Sequence, residues 1–160
     1  RSFAKVVEST DANLVIIGRG SLRRKLIRMA SRLGIGDRVS IESSMNFQEV
    51  AEMYRVADLV VYPSYYEGQG LIPLEAMSSG TPVVTVNHGP LPEMVDETVG
   101  ALFEMGSVES FSEAIVSESS SNSALLEKGE RGRSRVMAKF TLENNANDFL
   151  DIYKRAISNS

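Results

Sequence analysis

Hydrophobic and polar positions along the chain alternate between two periods. Short β-branched runs recur at residues 13–18 (NLVIIG), 37–42 (DRVSIE), 58–63 (DLVVYP), 81–86 (TPVVTV) and 100–104 (GALFE). Between them lie stretches with the period of a helix. In residues 21–34, Leu22, Leu26, Met29, Ala30 and Leu33 share one face, and Arg24, Lys25, Arg28 and Arg32 share the opposite one. Residues 46–57 predict a second helix, opened by Asn46 as N-cap with Glu49 three positions on, the spacing of a capping box. Residues 73–80 predict a short helix closed by Gly80, and residues 91–95 one further helical turn. The runs 58–63 and 81–86 are apolar on both faces and read as buried parallel strands. From about residue 107 the pattern is helical only, over 107–116, 122–139 and 141–157, with the Ser-rich residues 117–123 as a mobile link.

Alternating strands and helices predict an α/β domain: a Rossmann-like parallel sheet with helices on both faces. Its 160 residues suit one such domain, with the helices of residues 107–160 packing back on it. Ligands bind such sheets beyond the carboxyl ends of the strands, which is where the loops after Tyr62 and Val86 fall.

Composition removes several classes of function. The net charge of −4 argues against a nucleic-acid partner. One His, no Cys and no Asp-x-Asp pair leave no expected metal site or metal cofactor. Absence of Cys also excludes disulfide and thiolate chemistry and fits a reducing, cytoplasmic setting. No run of eighteen apolar residues is present to span a membrane.

The chemistry concentrates in residues 67–77, EGQGLIPLEAM. Glu67 and Glu75 stand eight positions apart across Gly68, Gln69, Gly70, Leu71 and Ile72. Pro73 lacks an N–H and belongs in a first helical turn, which puts Glu75 at about the third helical position. The N–H groups of Gly70, Leu71 and Ile72 then point outward, unsatisfied and backed by the helix dipole, as in an anion site. Carboxylates repel phosphate, so the combination suits a ligand that carries both phosphate and hydroxyls. A carboxylate takes both O–H groups of a vicinal diol such as ribose. The plainer alternative makes Glu75 a first-turn acid stabilising its helix by roughly 0.3–1 kcal/mol, and Glu67 a solvated loop acid.

Residues 62–84 (YPSYYEGQGLIPLEAMSSGTPVV) resemble the Glu-x7-Glu signature of retaining family 4 glycosyltransferases with the GT-B fold. Residues 14–41, 49–64 and 89–95 agree with that family in order and spacing. The resemblance implies transfer of a sugar from a nucleotide diphosphate donor with retention at the anomeric carbon. Glu75 then holds the ribose, and Glu67 holds the donor sugar as the catalytic carboxylate. The amides around Gly70 and Leu71 hold the diphosphate, and Gly68, Gln69 and Ile72 belong to the same donor site. Gly18 and Arg19 also belong to the donor site, Ser44 and Met45 lie near the base, and His88 lies near the donor sugar. Gln69, where the family usually has an aromatic residue, and the shifted Pro73 are departures in the loop. The family also opens this domain with a strand and a glycine loop carrying Arg and Lys, ahead of which comes an acceptor-binding domain. Neither has a counterpart here, since residues 1–10 match the helix that follows the loop. The chain therefore reads as the donor-binding C-terminal half of a GT-B enzyme without its first strand. The glycan or lipid-linked acceptor is left to the absent domain.

Two other readings compete. Residues 18–23 (GRGSLR) imitate the Gly-x-Gly-x-x-Gly fingerprint of NAD(P)- or flavin-binding oxidoreductases, with Glu42 where a ribose-binding acid sits. Arg23 replaces the third glycine, which that packing needs. The second is a nucleotide-sugar-binding module without catalysis. The basic face of Arg24, Lys25, Arg28 and Arg32 is either a solvated surface or a peripheral contact with anionic lipid.

Overall fold

Strand and helix alternate as the periodicity requires. The computed structural model, which describes residues 1–158, runs α1 (Ser2–Val6), β1 (Leu14–Ile17), α2 (Arg23–Arg32), β2 (Val39–Glu42), α3 (Phe47–Val56), β3 (Val60–Tyr62), α4 (Leu71–Ser78), β4 (Val83–Val86), α5 (Leu91–Met94) and β5 (Gly100–Phe103). Three helices follow: α6 (Val108–Glu118), α7 (Asn122–Lys139) and α8 (Leu142–Ser158). The predicted capping box forms on α3. Asn46 Oδ1 accepts from the N–H groups of Gln48 and Glu49 at 2.9 and 3.0 Å, and Glu49 Oε2 accepts from Asn46 N–H at 2.6 Å.

All strand pairs are parallel. β4 is central, with Val60 opposite Val83 on one side and Val83 opposite Gly100 on the other. It is buried at every position, as its double-sided apolar pattern predicts. Its side chains alternate between two cores. Val83 joins Met77, Val95 and Val99 on one face, while Val84 and Val86 join Val6, Leu91 and Phe103 on the other.

The sheet is interrupted. β1 pairs only with β2, Leu14 opposite Val39, and β3 pairs only with β4. A groove of about 1000 Å³ lies between them, lined by Val15 and Ile17 of β1 and by Val61 and Tyr62 of β3. This corrects the expected burial of residues 58–63. β3 is half-buried throughout, because one flank faces the groove instead of a neighbouring strand.

The helical region divides by burial. α6 packs on α1 and β5, and α7 packs on α4. α8 has no buried residue and exposes Leu142, Phe149, Ile152, Tyr153 and Ile157. The Ser-rich link is shorter than its composition suggests, since α6 runs to Glu118 and Ser121 caps α7 by accepting from Ala124 N–H.

Candidate functional site

The turn from β3 into α4 is set by Gly70. Its φ of 78° and ψ of 53° are left-handed, and it is buried, so a residue without a Cβ is needed. α4 therefore begins at Leu71, earlier than Pro73 alone suggests, and Pro73 is its third residue. That position tolerates proline because its N–H would have no intrahelical acceptor. Glu75 becomes the fifth helical residue, so the first turn carries no acid and the dipole-stabilising account of Glu75 lapses.

Both carboxylates are held by tyrosine. Glu67 Oε1 accepts a hydrogen bond from the Tyr62 hydroxyl, and Glu67 Oε2 accepts from Gly70 N–H at 3.1 Å. Glu75 Oε2 accepts from the Tyr54 hydroxyl at 3.1 Å. The Tyr62 hydrogen bond holds the Glu67 carboxyl below the usual range, with help from Ser64 and Gly70 and against slight desolvation. Burial first, and then the neighbouring carboxylate, push the Tyr54 phenol up to about 12. Tyr62 is raised by the same two causes.

One expectation is corrected here. The Gly70 N–H does not open onto the cleft, because Glu67 folds back to accept it. The amides left to open the helix are those of Leu71 and Ile72. Both residues are exposed, as are Gly68 and Gln69. Glu75, Tyr54, Tyr62 and Ile72 also line the groove between the two sheets.

The remaining candidates gather at other strand ends. Gly18 N–H donates to Glu42 O at 3.0 Å, and Arg19 Nε donates to Ser43 O at 3.1 Å, tying the ends of β1 and β2 together beside Ser44 and Met45. Arg23, in place of a dinucleotide-binding glycine, donates to Ile41 O at 3.2 Å, and Glu42 accepts from Ser40 Oγ at 2.7 Å. His88 follows β4, exposed, with its N–H on Val86 O at 2.9 Å. Among the described residues no hydrogen bond or ion pair joins Gly18, Arg19, Ser44, Met45 or His88 to either carboxylate. No group of His, Cys, Asp and Glu suited to a metal ion occurs among them either.

Sequence reasoning missed Tyr54 and Tyr62. Their signal was present: each is the polar-tipped residue in an otherwise apolar patch, one on the inner face of α3 and one at the end of β3.

Comparison with known proteins decides the family. Residues 1–135 match the family of glycosyl transferases group 1. The chain belongs to that family. It is 29% identical over 161 aligned positions to an uncharacterized glycosyltransferase of Methanocaldococcus jannaschii, covering 98% of this chain and 40% of the relative. It is 37% identical over 139 positions to the D-inositol 3-phosphate glycosyltransferase of Mycobacterium bovis, covering 82% of this chain and 28% of the relative. Among solved structures, the sucrose-phosphate synthase of Thermosynechococcus elongatus superposes with a TM-score of 0.84 at 27% identity, over 99% of this chain and 42% of that one. The chain thus spans about two fifths or less of each of these three proteins. Membership also sets aside the dinucleotide oxidoreductase reading, with which Arg23 already disagreed.

Proposed function

We propose that this group 1 glycosyl transferase chain is a donor-binding domain that holds a nucleoside diphosphate sugar for retaining transfer. The observation that carries the reading is the disposition of Glu67 and Glu75 about the opening of α4, each fixed as a hydrogen-bond acceptor by a tyrosine. Glu75 Oε1 has no protein partner among the described residues and is available to a ribose hydroxyl. Glu67, ionised and oriented, accepts from the hydroxyls of the transferred sugar and faces the developing charge at the anomeric carbon. The diphosphate lies against the amides of Leu71 and Ile72, with Gly68 and Gln69 leaving room for it. Gly18, Arg19, Ser44 and Met45 form the side of the site toward the base, and His88 the side toward the sugar. No metal takes part, because helix-opening amides supply the positive field.

The acceptor, a glycan or a lipid-linked glycan, is held by the rest of the whole protein. We place that protein in the cytoplasm, touching the membrane from its surface. Support comes from α2 and its approach: Arg19, Arg23, Arg24, Lys25, Arg28 and Arg32 fall between Asp11 and Asp37 with no acid among them. No described helix is long and apolar enough to cross a membrane.

Calorimetry with UDP, GDP, ADP and NAD tests the donor reading. Binding of at least one nucleoside diphosphate in preference to NAD is expected. Glu75→Gln should weaken that binding about tenfold, because a charge-assisted hydrogen bond becomes a neutral one. Preference for NAD, or equal affinity of the wild type and the variant, would overturn the assignment.

A further inference from the structure

We propose that Tyr62 and Tyr54 are positioning residues, one for each site carboxylate, and that the buried hydroxyls of Thr85 and Thr81 hold them in place. The inference rests on the donor-site reading of Glu67 and Glu75 and extends it to four residues that act through those carboxylates.

The two halves of the arrangement repeat each other. Thr85 Oγ1 donates to the carbonyl of Tyr62 at 2.9 Å, and the Tyr62 hydroxyl donates to Glu67. Thr81 Oγ1 donates to the carbonyl of Tyr54, and the Tyr54 hydroxyl donates to Glu75 at 3.1 Å. Thr81 and Thr85 are 2% and 0% exposed. Thr85 interrupts the run Val83, Val84, Thr85, Val86 in the most buried strand, where valine would pack as well and would need no partner. What the hydroxyl provides there is a donor for a carbonyl at the end of β3, where the ladder stops.

The tyrosines differ in how far they fix their carboxylates, and this separates their roles. Glu67 is held on both oxygens, by the Tyr62 hydroxyl and by Gly70 N–H. Two hydrogen bonds orient the carboxylate, which suits a group that must face one reacting centre. Glu75 is held on one oxygen only, and the other stays available to a ligand. That suits a binding contact. Both phenols are raised above their ordinary range, so each remains a donor to its ionised carboxylate around neutral pH.

The test uses the whole protein with Tyr62→Phe, Tyr54→Phe, Thr85→Val and Thr85→Ser. Tyr62→Phe should lower kcat by about tenfold to a hundredfold with nucleoside diphosphate affinity nearly unchanged. Tyr54→Phe should instead raise the Kd for the nucleoside diphosphate about tenfold. Thr85→Val should reproduce the Tyr62→Phe pattern more weakly, and Thr85→Ser, which keeps the hydroxyl, should restore it. Both tyrosines pack against the same core, so a purely structural role would move kcat and affinity together in both variants. That result would overturn the proposal. A second readout needs no ligand: carbon-13 NMR titration of the Glu67 carboxyl, which is faced by the Tyr62 and Ser64 hydroxyls and by the Gly70 amide. Its pKa should rise in Tyr62→Phe, and an unmoved titration would refute the pairing. If no nucleoside diphosphate binds the wild type, the donor reading falls while the carboxyl titration still decides the pairing.

Discussion

Gly70 lies so close to Leu91 that a Cβ built on it would stand 2.9 Å from Leu91 Cδ2. Leu91 opens α5 and is 1% exposed in the core behind the site. The contact joins the two turns that follow β3 and β4, so the candidate site and the core share one residue. Two penalties meet at this glycine, a left-handed backbone and an overlap with a buried leucine. Gly70→Ala should destabilise the protein by about 2–4 kcal/mol and shift the start of α4. Because Gly70 N–H also anchors Glu67, nucleotide-dependent activity should fall further than stability at the assay temperature explains. Chemical denaturation and donor kinetics on the same variant check both parts.

Much of this architecture was legible in the sequence because local rules decide it. Asn46 and Glu49 cap α3 through their own spacing, and Val83–Val86 is buried because nothing in it is polar except Thr85. The site was legible as a pair of carboxylates astride a helix start. What was not legible is what joins distant positions. The Tyr54–Glu75 contact spans 21 residues and two helices, and no periodicity encodes it. The start of α4 moved to Leu71 because Gly70 adopts a left-handed conformation, whereas Pro73 shows only that some first turn is near. The half-burial of β3 depends on β1 standing apart from it, which is a property of the sheet and not of residues 58–63.

Gly129 of α7 is packed against the backbone of Gly80. A Cβ there would come 1.9 Å from the Gly80 carbonyl oxygen, and one on Gly132 would come 3.2 Å from Met77 Cγ. Two interior glycines weaken an isolated helix by about 1 kcal/mol each, so their place in α7 is explained by this close approach to α4. Gly129→Ala should therefore destabilise by about 3 kcal/mol or more, although alanine is the better helix former. Gly132→Ala meets a flexible methionine and should cost less. A ranking in which both variants gain stability would show that α7 does not lean on α4.

Lys128 binds Glu118 at 2.7 Å and the Gly100 carbonyl at 3.2 Å, joining α7, α6 and β5. The side chains are only 18% and 8% exposed, so this pair is not an ordinary surface bridge. Removing one partner leaves a poorly solvated charge. Lys128→Met should cost about 3 kcal/mol, and Glu118→Gln a comparable amount. The double variant should recover part of the loss, since neither charge is then stranded. Urea denaturation of the three variants gives the coupling directly, and strict additivity would contradict it.

Asp96 gives the fold an acid-sensitive contact with Arg135 of α7. It accepts from Arg135 Nη2 at 2.8 Å, from Thr98 Oγ1 at 2.6 Å and from Thr98 N–H at 3.0 Å, while Arg135 also reaches Met94 O at 3.0 Å. Partial burial alone would raise the carboxyl, but the hydrogen bonds of Thr98 and Arg135 outweigh it and bring the pKa down to about 2. A depressed folded-state pKa means that the unfolded chain takes up the proton first as pH falls. The contribution is therefore complete above about pH 4, the unfolded value, and is lost as pH falls toward about 2. The Asp96 side chain is 40% exposed, so solvent screening reduces the effect to about 1 kcal/mol. Asp96→Asn should be less stable than the wild type near neutral pH and should lose less of its stability on acidification. Denaturation midpoints measured at about pH 7 and about pH 2 should converge for the two proteins at the acid end. A gap that stays constant across that range would mean that Arg135 anchors the loop through Met94 O alone.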